Sequence, residues 1–115
     1  MPPTLQPYFG KAYRSASGTP DSLTPRAGVD DLAGGGLSFY NRLDHPALKP
    51  GKFVEIDTSK LQRLVALLDN EPEGHITVRP QLLDEMEQWA ATRGSGRIHP
   101  LTRELLDAIT AIGKK

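Results

Sequence analysis

Short apolar patterns recur along the chain, each closed by proline or glycine. His75-Ile76-Thr77-Val78-Arg79 alternates strictly. Ile76 and Val78 fall on one side and His75, Thr77 and Arg79 on the other, the two-residue period of a half-buried strand. Lys52-Phe53-Val54-Glu55-Ile56-Asp57 keeps the same period with aromatic and β-branched residues. Residues 11–15 and 36–40 read as two further short strands between turn-forming residues.

Elsewhere the spacing changes to three and four. Leu61, Leu64, Val65 and Leu68 predict an amphipathic helix over residues 60–69, with Thr58 and Ser59 as natural caps and residues 70–74 as its breaker. A second helix is predicted after Pro80, with Leu82, Leu83, Met86, Trp89 and Ala90 on its apolar face and Gly94 at its end. A third opens at Pro100 and carries Leu101, Leu105, Ala108, Ile109 and Ile112, with Lys114 and Lys115 at the negative end of its dipole. The expected fold is a small α+β domain, a mostly antiparallel sheet covered by three amphipathic helices.

Composition adjusts this picture. At 115 residues the chain suits one domain, expected over residues 11–115, after a proline-rich linker at 1–10. Its ten prolines and eleven glycines concentrate before residue 52, and residues 17–36 are almost all Gly, Ser, Thr, Pro and Asp, a long loop of the kind that often carries function. Fourteen basic and fourteen acidic residues give zero formal charge. That argues against a dedicated nucleic-acid coat or anionic-membrane binder but leaves room for a local cationic cluster. No apolar run reaches the roughly 20 residues of a membrane span. Without cysteine there is no disulfide, thiolate nucleophile or thiolate zinc site. His45, His75 and His99 have no metal-ligand spacing, so no metal is expected.

Candidate chemistry gathers on the polar side of the strands. His75, Thr77 and Arg79 share a face and can converge on one ligand. Arg14 adds a fixed cation suited to phosphate, and Ser38 adds a hydroxyl. Tyr13, Phe39 and Tyr40 are of the residue types that stack on a base, although a place in the core or at its rim suits them as well. The acids Asp84, Glu85 and Glu87 read as a solvated helix surface.

The order Tyr13-Arg14, then Leu23-Thr24-Pro25-Arg26, then Gly36-Leu37-Ser38-Phe39-Tyr40 resembles the small bacterial ADP-ribosyltransferase-like toxin domains of secreted polymorphic toxins. The resemblance spans about residues 13–80 and implies an ADP-ribosyltransferase-like sheet acting on NAD, by ADP-ribosyl transfer or NAD cleavage. It implies that Arg14 binds the dinucleotide, that Ser38 organises the nicotinamide pocket, and that Tyr13, Phe39 and Tyr40 line the cofactor site. A later acid should steady the ribosyl cation. The only Glu-x-Glu, Glu85-Met86-Glu87, falls in a predicted helix, which leaves Glu73, close to His75, as the better-placed candidate. A cognate immunity or antitoxin protein follows as partner. Action follows in the cytoplasm, either of the producing cell or of a target cell reached by a non-classical secretion route.

Two other readings fit the same residues. One is a metal-independent ribonuclease toxin, with His75 and His99 as base and acid and Arg79 or Arg14 on the phosphate. The other is a non-catalytic interaction or immunity module, which needs no converging Arg, Ser and His.

Overall fold

Alternating apolar residues at 37, 39, 54, 56, 76 and 78 commit the middle of the chain to strands with one buried face, and all of these side chains are buried. The computed structural model describes residues 5–28, 35–70, 72–82 and 84–115. It shows a small α+β protein. The strands are β1 (Gln6–Pro7), β2 (Lys11–Arg14), β3 (Leu37–Tyr40), β4 (Lys52–Asp57), β5 (Leu64–Leu68), β6 (His75–Pro80) and β7 (Ile109–Lys114). Two helices, α1 (Glu85–Ala91) and α2 (Pro100–Ala108), complete it. The strands form one sheet in the order β1-β5-β6-β3-β2-β4-β7, and every described pairing is antiparallel. No helix among the described residues is long and apolar enough to cross a membrane.

The helices cover one face of the sheet. Met86, Trp89, Leu101, Leu105 and Ala108 enter the core formed by Phe39, Val54, Ile56, Ile76 and Val78. Trp89 is buried without an unmet polar group, because its indole N–H donates to the hydroxyl of Thr102 at 2.8 Å. Thr102 in turn meets Thr24 at 2.8 Å, and Thr24 donates to the carbonyl of Pro20 at 2.8 Å. This buried chain ties both helices to the loop that precedes the site.

The predicted helix at 60–69 is a correction: a short 3-10 turn, Thr58–Lys60, leads instead into β5. Five apolar residues in a row satisfy either period. The choice falls to pairing, since Leu64 lies opposite Pro80, Ala66 opposite Val78 and Leu68 opposite Ile76 in β6. The predicted third helix also stops early. After Ala108 the chain extends, and Val54 pairs with Ile112 and Ile56 with Ile109. Pro80 ends β6 rather than opening a helix. Among the described residues, two helices therefore replace the three expected. Within the expected linker, Gln6 and Pro7 pair with β5, and the amide of Tyr8 donates to the carbonyl of Ala66. Leu83, expected on the apolar face of the second helix, and the first residue of the 34–36 glycine run lie outside the described residues, as does part of the 17–36 loop.

Candidate functional site

The site is built where two strands part. β2 and β4 share four register pairs, but β2 and β3 share only Tyr13 opposite Tyr40. Continuing that register sets Ser15 opposite Ser38, yet there the guanidinium of Arg14 reaches the Ser38 carbonyl instead, donating from Nη1 at 3.0 Å. Its Nε donates to the Ser22 carbonyl at 3.3 Å. The planar guanidinium suits this wedge, because its donors point in fixed, divergent directions. The Phe39 ring lies 5.9 Å from the guanidinium carbon and supports it from the core.

The parted strands open a cleft of about 370 Å³ lined by Arg14, Ser15, Arg26, Ser38, Tyr40 and the segment Ala47, Leu48 and Lys49. Among the described residues that line it, three are cations and none is acidic, although the whole chain is neutral. A depression of about 400 Å³ beside α2 mixes Lys60 and Arg103 with Glu104 and Asp107, so its charges largely cancel. One of about 570 Å³ is formed by the loops around Pro20 and Ile98 and carries both Asp21 and Arg97. Counted over the described residues, the cleft between β2 and β3 alone among these three has a lining charged with one sign.

Ser38 connects the cleft to a chain of side chains across the sheet. Ser38 pairs with Thr77 and Tyr40 with His75 in the β3–β6 register, which sets all four on the face away from the helices. The Nε2 of His75 lies 3.0 Å from Ser38 Oγ, and its Nδ1 lies 2.8 and 2.9 Å from the two carboxylate oxygens of Asp69. Thr77 donates its hydroxyl to the same carboxylate at 2.9 Å. An ionised carboxylate only accepts, so Nδ1 carries the proton. In the neutral ring Nε2 is then the acceptor, and Ser38 donates to it. The side chains of His75 and Asp69 retain only 13% and 18% of their exposure, which strengthens these bonds against water.

Asp69 and His75 flank the 70–74 turn, and the Asp69 amide donates to the His75 carbonyl at 3.2 Å. Asn70 at φ 53° and Gly74 at φ 86° bend the chain there, and the Asn70 side chain accepts from the Gly74 amide at 3.1 Å. His45 buttresses the turn from the other side. Its ring stacks on Tyr40 with centroids 4.4 Å apart, meets the Glu73 carbonyl at 2.7 Å through Nε2, and accepts from the Ala47 amide at 3.0 Å through Nδ1. The Lys49 amide donates to Ser15 Oγ at 3.0 Å, closing the wall of the cleft.

The structure therefore brings together Arg14, Ser38, Tyr40, His75 and Thr77 of the residues singled out from sequence. Arg14 projects from the core-facing register of β2, opposite Val54, rather than from the polar face. Phe39 is fully buried and bears on the cleft only by supporting Arg14. Tyr13 turns toward Glu55 on β4; burial, then its hydrogen bond to that carboxylate, raises its phenol above the ordinary value. Glu73 is exposed, and its carbonyl serves His45. The carboxylate beside His75 is Asp69. Sequence reading missed it by placing it at a helix end, although Asn-Glu-Pro-Glu-Gly between two apolar runs is also the mark of a five-residue hairpin loop. Arg26 and Lys49 were missed as cleft residues because loops carry no periodicity.

The paired-histidine arrangement is not formed. His99 has Arg63 and Glu85 as its charged neighbours. The Arg63 carbonyl accepts from Gln81, next to the Pro80 end of β6. At roughly 3.3 Å per residue the His75 and Pro80 ends of this strand are about 17 Å apart. Among the described residues, no group of three or more His, Cys, Asp or Glu side chains is arranged to hold a metal ion. Comparison with protein-family models, with curated proteins and with solved structures found no match for this chain.

Proposed function

We propose that the chain is an enzyme acting on NAD, cleaving the bond between nicotinamide and ribose and passing ADP-ribose to a target or to water, as a bacterial toxin domain with an ADP-ribosyltransferase-like sheet would. The observation that carries this reading is the cleft itself. Arg14, Arg26 and Lys49 offer positive charge to a pyrophosphate, and the same cleft contains Ser38, hydrogen-bonded to His75 and through it to Asp69.

The chemistry asks for such a site. When the glycosidic carbon–nitrogen bond breaks, nicotinamide leaves neutral and positive charge develops on the ribose. A carboxylate and oriented dipoles held in place beforehand lower that barrier. The incoming oxygen then bonds to the ribose carbon and sheds a proton, which neutral His75 is placed to accept through Ser38. The ribonuclease reading needs a second histidine near His75, whereas His99 caps α2 and has Arg63 and Glu85 as its charged neighbours.

The test is nicotinamide release from NAD by purified protein, with and without cell lysate to supply acceptors, run beside Arg14→Ala. Release by the wild type and its loss in the variant support the reading. No release by folded wild type under either condition overturns it. Induced cytoplasmic expression adds the biological readout: growth arrest by wild type, relieved by Arg14→Ala at equal protein level. Rescue by a co-expressed partner would then identify the protective protein.

A further inference from the structure

We propose that Ser38 is a nucleophilic serine, giving the cleft a second activity beyond the NAD reading: hydrolysis of carboxylic esters whose acyl part carries an anionic group. The geometry supplies each required part. The Ser38 hydroxyl lies 3.0 Å from His75 Nε2, and a carboxylate 2.8 Å from Nδ1 favours the tautomer in which Nε2 accepts from Ser38. This is the connectivity of a nucleophile, a base and an orienting acid. The acid is itself fixed by Thr77, so the ring does not rely on one contact for its orientation. Ser38 opens to the cleft, while His75 and Asp69 are largely covered.

Arg14 supplies the fourth part. Its bond to the Ser38 carbonyl holds a guanidinium beside the backbone of the nucleophile, and that nearby positive charge would stabilise the oxyanion that forms on attack. Arg26 and Lys49 on the cleft wall then favour an acyl group with its own negative charge.

The reaction balances with water as co-reactant. The Ser38 proton passes to His75 Nε2 as Oγ bonds to the ester carbon. The tetrahedral adduct collapses, the carbon–alkoxy bond breaks, and the alcohol leaves with the proton from His75. Water then attacks the acyl-serine and gives a proton to His75. The acid departs, and Ser38 takes the proton back. His75 contacts the reacting atoms, whereas Asp69 acts through His75 and is a positioning residue.

The experiment is covalent labelling by a fluorophosphonate, read by intact mass and by mapping of the labelled peptide, with turnover of 4-nitrophenyl succinate half-ester and 4-nitrophenyl acetate measured alongside. The wild type should carry one label, on Ser38, and turn over the anionic ester at least about tenfold faster than the neutral one. Ser38→Ala and His75→Gln should lose both. Asp69→Asn should keep its melting temperature but lose roughly 10²–10⁴ in labelling rate, because the amide selects the wrong imidazole tautomer. Asp69→Glu should recover part of that rate, which a merely structural role would not produce. An unlabelled Ser38 in folded wild type, or a label that persists in His75→Gln, overturns the inference. Nicotinamide release on the same samples keeps the two readings apart. A label without release leaves the nucleophile standing and removes the NAD reading; release without a label does the reverse.

Discussion

Asp69 and His75 stand six positions apart in the chain and 2.8 Å apart in space, carboxylate to ring nitrogen. The 70–74 turn makes that contact, and His75 extends it to Ser38 on a strand from another part of the sequence. The candidate site therefore rests on one hairpin and one non-local pairing.

Arg14 tests the hinge between sheet and cleft. Arg14→Ala should lower nicotinamide release by roughly 10²-fold or more, the scale of losing one preorganised charge at a site of developing charge. Arg14→Lys should fall between it and wild type. One ammonium preserves the charge but does not span the carbonyls of Ser22 and Ser38 as the guanidinium does. Initial rates, with melting curves to show equal folding, decide the order.

Thr102 tests the buried chain behind the site. Thr102→Val keeps the shape but leaves the Trp89 indole N–H without its 2.8 Å acceptor. The expected loss is about 1–3 kcal/mol in urea unfolding, the cost of an unmet buried donor. A loss under a few tenths of a kcal/mol would show that the indole finds another partner.

His99 sets an acid limb of stability. Burial first, and Arg63 second, push its imidazole below the ordinary value of 6.5. The folded protein thus binds this proton less readily than the unfolded chain. Stability from this group is full above about pH 6.5 and is lost as pH falls from there through the lower folded-state value. Protonation also removes the Nδ1 acceptor that caps α2 at the Leu101 amide, 3.1 Å away. His99→Asn retains a capping oxygen and does not titrate. Chemical denaturation at pH 8 and pH 5 should show a smaller acid loss in His99→Asn than in wild type.

Gly74 tests the turn that sets His75. It holds φ at +86°, and an added Cβ would lie 2.6 Å from the Asn41 side-chain oxygen and 3.2 Å from the His45 ring. Gly74→Ala should destabilise by about 1–3 kcal/mol from backbone conformation alone, measured by thermal or urea unfolding. Displacement of His75 should also reduce nicotinamide release.

The strands with clean alternation were legible in the chain. β4 and β6 lie where the two-residue period puts them, β2 and β3 within a residue of their predicted ends, and α2 starts at Pro100 as its proline indicates. Those signals are local, because alternation and an N-terminal proline act within a few residues. Tertiary structure decided β5 and β7. Leu64–Leu68 and Ile109–Lys114 carry apolar residues that suit either period, and hydrogen-bond partners far along the chain made them strands. The site followed the same division. The sequence by itself determined which polar residues share a face: His75 with Thr77 and Arg79. Only the folded sheet determined that Asp69 closes on His75, that Arg14 wedges β2 from β3, and that Arg26 and Lys49 line the gap. Facing direction is a property of neighbouring residues, whereas a cleft is made by backbones that pairing brings together and then lets part.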